Sequence, residues 1–199
     1  MTGTGTSATF AGAGSIDIAH NAALNPSSFT MTTWANIAPG VGGFRSVVTN
    51  RNDDGGGNQG FILYAAGNNN HMQFWTGNGA PGGGGWSVLT GPPQTDGAWN
   101  HYALSYDGGS STKSLYVNGQ LAAQAVQPYV PNTLEPFHIG GGGDAGTSFR
   151  FSGSIDDVQV HGSALSQAQI QQVMTGSTEA STNLSLGKTY SSSVLPTLR

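Results

Sequence analysis

Ten carboxylates, only two of them Glu (Glu135 and Glu179), are all this sequence offers for acid–base work. Hydrolysis of a glycosidic bond with retention needs two carboxyl groups about 5–5.5 Å apart. Glu135 stands beside Pro136 in an expected turn and Glu179 lies in a distant polar stretch, so the two do not pair. Asp53 and Asp54 precede Gly55 and suit a turn, while Asp156 and Asp157 are adjacent and would face opposite ways on a regular strand. These spacings speak against glycoside hydrolysis. A nucleophile elbow of Gly-x-Ser-x-Gly form is absent, and five scattered His without an i, i+4 pair speak against zinc. Gly-x-Gly-x-x-Gly occurs at Gly55-Gly57-Gly60, Gly77-Gly79-Gly82 and Gly141-Gly143-Gly146, but none is followed by a helix pattern, so composition explains all three.

Binding chemistry is better provided for. Aromatic faces cover the apolar side of a sugar ring, and amide and guanidinium groups bond its hydroxyls. In His71-Met72-Gln73-Phe74-Trp75 the strand period of two puts Met72 and Phe74 on one face and His71, Gln73 and Trp75 on the other. In Phe61-Ile62-Leu63-Tyr64 it turns Phe61 and Leu63 inward and Ile62 and Tyr64 outward. Tyr64 and Trp75 are expected to floor a shallow groove rimmed by Arg51, Asn58, Asn69 and Asn70, with Gln73 on the same face. Trp86, after four glycines, either reaches over that groove or opens a strand that packs inward. Trp34 and Trp99 are read as core residues, and His101 as an internal hydrogen-bonding one. Hard oxygen ligands for Ca²⁺ are available at Asp156 and Asp157, whose alternative use is bonding loop amides.

The elements that must position these residues are strands. From Ser7 to about Val160, apolar alternations of four to eight residues are separated by Gly, Asn, Asp and Pro clusters, the pattern of an all-β sandwich or barrel with about a dozen strands. Hairpins are expected around Gly67–Asn70, Asp107–Ser110 and Asn118-Gly119. The stretch from Phe29 through Met31 to Trp34 alternates with one slip. The one amphipathic helix pattern runs from Ser166 as cap to Met174, with Leu165, Ile170, Val173 and Met174 near one face and Gly176 as the stop.

Composition narrows the partners. Only 8% of the 199 residues are charged, against roughly 25% in an ordinary soluble protein, and Gly reaches 32 residues. Six Lys plus Arg, spread singly in a chain of net charge −4, form no stripe for phosphates, which excludes nucleic acid and anionic membrane surfaces as expected partners. The absence of Cys excludes thiolate chemistry and disulfides.

Four segments in order resemble the bacterial laminin-G-like jelly-roll domains of the concanavalin A-like lectin and glucanase superfamily. They are Phe10-Ala11-Gly12-Ala13-Gly14-Ser15-Ile16-Asp17-Ile18; Leu24-Asn25-Pro26 on to Phe29-Thr30-Met31-Thr32-Thr33-Trp34; Trp99-Asn100-His101-Tyr102 through Asp107-Gly108 with Leu115-Tyr116-Val117-Asn118-Gly119; and Phe151-Ser152-Gly153-Ser154-Ile155-Asp156-Asp157-Val158 with Ala164-Leu165-Ser166. Asn183 to Ser193 resembles the opening strand of a discoidin-type domain. The resemblance implies an antiparallel two-sheet jelly roll with one short C-terminal helix over residues 1–176, with 177–199 a linker and the start of a following module. It also implies a structural Ca²⁺ held by Asp157 together with Asp17, to which Asp156 is the further candidate that the residues themselves offer. The expected function is a non-catalytic carbohydrate-binding module of a secreted multimodular bacterial protein, monomeric, with polysaccharide and neighbouring domains as partners. A groove lined by exposed Trp75 and Tyr64 would favour that reading. Burial of both would favour the alternative, a structural or adhesive spacer with no glycan affinity.

Overall fold

In the computed structural model the described residues are 7–53, 56–66, 70–142, 149–176, 191–192 and 197–198. The strands are β1 Ala8–Ala11, β2 Ile16–Ile18, β3 Phe29–Ile37, β4 Phe44–Thr49, β5 Phe61–Ala66, β6 His71–Gly77 and β7 Trp86–Pro93. They continue as β8 Trp99–Asp107, β9 Thr112–Val117, β10 Gln120–Val126, β11 Phe137–Ile139, β12 Ser152–His161, β13 Ser191–Ser192 and β14 Thr197–Leu198, with the helix α1 at Gln167–Met174. Two seven-stranded sheets form a sandwich: β10-β9-β8-β3-β12-β1-β14, the first sheet, faces β13-β2-β11-β4-β5-β6-β7, the second. The strand pairings are antiparallel. This is the two-sheet jelly roll that the sequence predicts. Most of 177–199 lies outside the described residues; its two described pieces, β13 and β14, pair with β2 and β1.

Period-two alternation builds the core. Phe29, Met31, Ala35 and Ile37 of β3 and Tyr102, Leu104 and Tyr106 of β8 meet Phe61, Leu63 and Ala65 of β5 and Met72 and Phe74 of β6 between the sheets. Phe29 stacks on Phe61 with ring centroids 4.5 Å apart. Strand β3 therefore runs without the expected slip. Trp34 corrects the sequence reading: it stands on the outer face of the first sheet, half-buried and edge-on to His101, because its neighbours Thr33 and Ala35 take the inward side. Trp99 is half-buried too. His101 is buried as expected, but its Nδ1 has no hydrogen-bond partner among the described residues.

Helix α1 begins in a capping box, Ser166 Oγ accepting from the Gln169 backbone and Gln169 reaching back to the Ser166 N–H. Its Ile170 and Val173, with Leu165, close over Ala103 and Tyr116 on the outer face of the first sheet. Gly176, at φ +73°, ends it. One outer face of the sandwich thus carries a helix.

Two cations lie inside the sandwich. Lys113 of β9 is fully buried, its ammonium 4.9 Å from the Phe74 ring centroid and donating to Thr76 Oγ1 at 3.1 Å. Arg45 of β4, 2% exposed, donates to the Ala38 carbonyl at 3.2 Å.

Candidate functional site

On the outer face of the second sheet, β4, β5 and β6 present their outward residues to a cavity of about 370 Å³. Phe44, Tyr64, Trp75, Trp86 and Phe149 line it with rings, and Arg51, Asp53, Asn58, Gly82 and Gly83 complete the wall. The register explains the gathering. Ile62 pairs with Trp75, and Phe44 opens β4 opposite Ala66 at the other end of β5, so Tyr64 lies between them on the shared face.

The rings brace one another. Tyr64 meets Trp75 edge-on with centroids 5.5 Å apart, Phe44 meets Tyr64 at 5.2 Å and Trp75 at 5.8 Å, and Phe149 meets Tyr64 at 5.5 Å. Trp86 lies 6.4 Å from Trp75. The Arg51 guanidinium lies 5.4 Å from the Trp86 ring centroid and 5.7 Å from that of Phe149. It donates from Nη1 to the Tyr64 hydroxyl at 3.0 Å and forms an ion pair through Nη2 with Asp53.

The glycine loop 78–85 forms the opposite wall. Asn58 Nδ2 donates to the Gly82 carbonyl at 2.8 Å and the Asn58 N–H to the Ala80 carbonyl at 2.9 Å, tying the loop down. At Gly85 a Cβ would lie 1.9 Å from the Ala80 oxygen, so only Gly fits there. Gly83 and Gly84 differ: a Cβ on either meets nothing within 4 Å, and neither has a positive φ. Packing does not require glycine at those two positions.

Of the ligand-contact residues read from the sequence, Arg51, Tyr64, Trp75 and Trp86 come together here. Trp86 resolves its two alternatives by being the first residue of β7, half-buried, with its ring on the cavity. Tyr64 is only 2% exposed, so it serves as floor, whereas Trp75 is half-buried. Gln73 does not line the cavity: it is buried and accepts the Trp75 indole N–H at 2.9 Å, which orients that ring. Asn70 does not line it either, standing exposed beside the β5–β6 turn, five residues or roughly 17 Å along the strand from Trp75. Asn69, Asp54 and Asp144 lie outside the described residues.

Sequence reasoning missed Phe44 and Phe149 as ring walls. The signal at Phe149 is conformational: it holds φ +58°, a costly value for a bulky residue, and its carbonyl accepts the Ser46 N–H at 2.8 Å.

The aspartates assigned to Ca²⁺ do not make one donor set. Asp17, between inward Ile16 and Ile18, faces out from the second sheet, where Oδ1 accepts from Ser15 Oγ at 2.7 Å and lies 2.7 Å from His138 Nδ1. Asp156 and Asp157 sit on the first sheet, beyond the core. They do not face opposite ways either. A bulge between Asp156 and Gln159, with Asp157 at φ +50°, places three steps instead of two between inward Ile155 and Val158, leaving both aspartates on the outer side. Asp156 Oδ1 takes the Asp157 N–H and Asp157 Oδ1 takes Gln159 Nε2. Among the described residues no three His, Cys, Asp or Glu side chains gather for a metal.

Residues 10–171 match the family model described as the concanavalin A-like lectin/glucanases superfamily. The chain belongs to that superfamily. No curated protein sequence matches it. Among solved structures, this concanavalin A-like domain is similar to the CBM40 of the Ruminococcus gnavus IT-sialidase bound to α2,3-sialyllactose, with a TM-score of 0.67 and 20% identity over 84% of this chain and 95% of that one. It is similar to the heptameric SAP-like pentraxin of Limulus polyphemus, with a TM-score of 0.66 and 15% identity over 94% and 91% of the two chains. Domain 4 of the extracellular arabinanase AbnA from Geobacillus stearothermophilus, in complex with arabinotriose, has a TM-score of 0.64 and 18% identity over 84% and 75%. At these identities the likeness establishes the fold. Among the described residues no helix is long and apolar enough to cross a membrane.

Proposed function

We propose that this domain is a non-catalytic carbohydrate-binding module of a secreted multimodular protein, holding a saccharide in the aromatic cavity on the second sheet. The observation that carries the reading is the set of five rings, an arginine and an asparagine around one open cavity, on the outer face that α1 leaves bare. Its volume falls at the low end of the roughly 300–1,000 Å³ usual for ligand sites, which suits a short stretch of sugar. Two similar structures carry saccharides, sialyllactose on one and arabinotriose on the other. Catalysis has no support among the described residues of the cavity, where Asp53 is the one lining carboxylate and is engaged by Arg51. Multivalency with a following module would raise avidity through effective concentration.

The burial of Tyr64 is the one observation that favours the alternative, a spacer without glycan affinity. Affinity electrophoresis of the purified chain against a panel of polysaccharides separates the two. Retardation by a glycan, abolished in Trp75→Ala or Trp86→Ala with the fold intact, is the expected result. No retardation by any glycan would leave the spacer.

A further inference from the structure

The cations of this chain are disposed in an unusual way. Of six Lys plus Arg, Arg45 and Lys113 are buried between the sheets, and Arg150 donates to Ser15 Oγ at 3.1 Å. Among the described residues Arg51 is the one cation that lines the cavity, and it does not present an open charge. Nη2 is paired with the Asp53 carboxylate, Nη1 bonds the Tyr64 hydroxyl, and the Trp86 and Phe149 rings lie against the guanidinium. Its side chain is 11% exposed, whereas Asp53 is 30% exposed and itself lines the cavity. An entering carboxylate would therefore meet Asp53 before it met an unengaged fork of Arg51, and like charges held together repel. The sequence adds a second acidic residue, Asp54, directly after Asp53, in a chain of net charge −4.

We infer that the cavity takes uncharged saccharide and rejects acidic sugars, with Asp53 as the residue that sets this specificity. The inference rests on the glycan-binding reading above. Arg51 then acts as a hydrogen-bond donor and ring spacer, its charge cancelled within the site, and Asp53 supplies both the cancellation and the repulsion. The sialyllactose on the similar CBM40 is an acidic ligand and the arabinotriose on the arabinanase domain a neutral one, so the fold does not decide between them.

The test is affinity electrophoresis and calorimetry on the full chain with uncharged probes (arabinan, galactan, xylan and lactose) beside acidic ones (polygalacturonate, alginate and sialyllactose), at 50 and 500 mM NaCl. Expected is retention by at least one uncharged probe, with affinity at least about tenfold above every acidic one and changing less than about twofold with salt. Asp53→Asn should raise affinity for acidic probes relative to neutral ones; Asp53→Ser repeats the test should the first variant lose its fold. Preference for an acidic probe with steep salt dependence overturns this inference and leaves the glycan-binding reading standing. Retention by neither class overturns both.

Discussion

The ammonium of Lys113 reaches from the first sheet across to the second and donates to the Ser87 carbonyl at 2.7 Å. Among the described residues no carboxylate faces it; its neighbours are Thr76, the Ser87 carbonyl and the Phe74 ring, and burial pushes its pKa down to about 7. The unfolded chain therefore binds more protons between pH 7 and the ordinary lysine range, and stability rises with pH across that window. Melting temperature is expected to climb from pH 7 to 9.5, a gain on the order of a few kcal/mol, and Lys113→Met should flatten the climb. Above that range Tyr102 and Tyr129, both pushed up by burial, work in the opposite direction.

His101 gives an acid counterpart. Burial lowers its pKa to about 4, so unfolded chains take up a proton first as pH falls from 6.5. Its contribution is complete above pH 6.5 and lost by about pH 4. Acid unfolding followed by circular dichroism should shift to lower pH in His101→Gln, since that side chain has no charge to acquire.

The glycine loop separates packing from function residue by residue. Gly85→Ala drives a Cβ into the Ala80 carbonyl and is expected to cost several kcal/mol in a denaturant melt. A Cβ at Gly83 meets nothing within 4 Å, so in Gly83→Leu stability should stay within about 0.5 kcal/mol while saccharide affinity falls as the side chain crowds the cavity that Gly83 lines. Gly84→Leu, off the lining, is the matched control.

Phe44 and Trp75 touch at 5.8 Å and share Tyr64 as a neighbour. Their substitutions should not add. In a cycle of Phe44→Ala, Trp75→Ala and the double variant, the double variant is expected to lose less affinity than the sum of the singles, with a coupling of about 0.5–1.5 kcal/mol.

Calcium is expected to leave the aspartates untouched. Any thermal shift on adding the ion should be the same size in Asp17→Asn and Asp157→Asn as in the parent, since each carboxylate already has an internal partner. A shift lost in either variant would count against the geometry described above.

Local alternation made the floor of the cavity legible. Tyr64 and Trp75 could be turned outward from four- and five-residue strings, because a hairpin fixes which neighbours share a face. The walls could not be read this way. Phe44 opens β4 straight after a Gly-rich run, with a bulge between Ser46 and Val48 breaking the alternation behind it, and Phe149 precedes β12 with a left-handed backbone, so neither face could be read from an unbroken period, and only the closing of the sandwich brings them together. The bulge at Asp157 was hidden for a related reason: a non-glycine residue at positive φ leaves no mark in composition. Trp34 misled by its size, since a large ring can be half-buried on an outer face against one histidine.

The edge-on contacts among Phe44, Tyr64, Trp75 and Phe149, with Trp86 tilted against Trp75, mean that the cavity walls stand assembled before anything enters. A ligand that docks there freezes few rotamers, and the free energy of its association is not consumed in ordering the receptor. Calorimetry of such an encounter should show favourable enthalpy, a small conformational-entropy loss on the protein side and a negative heat-capacity change as ring faces leave water.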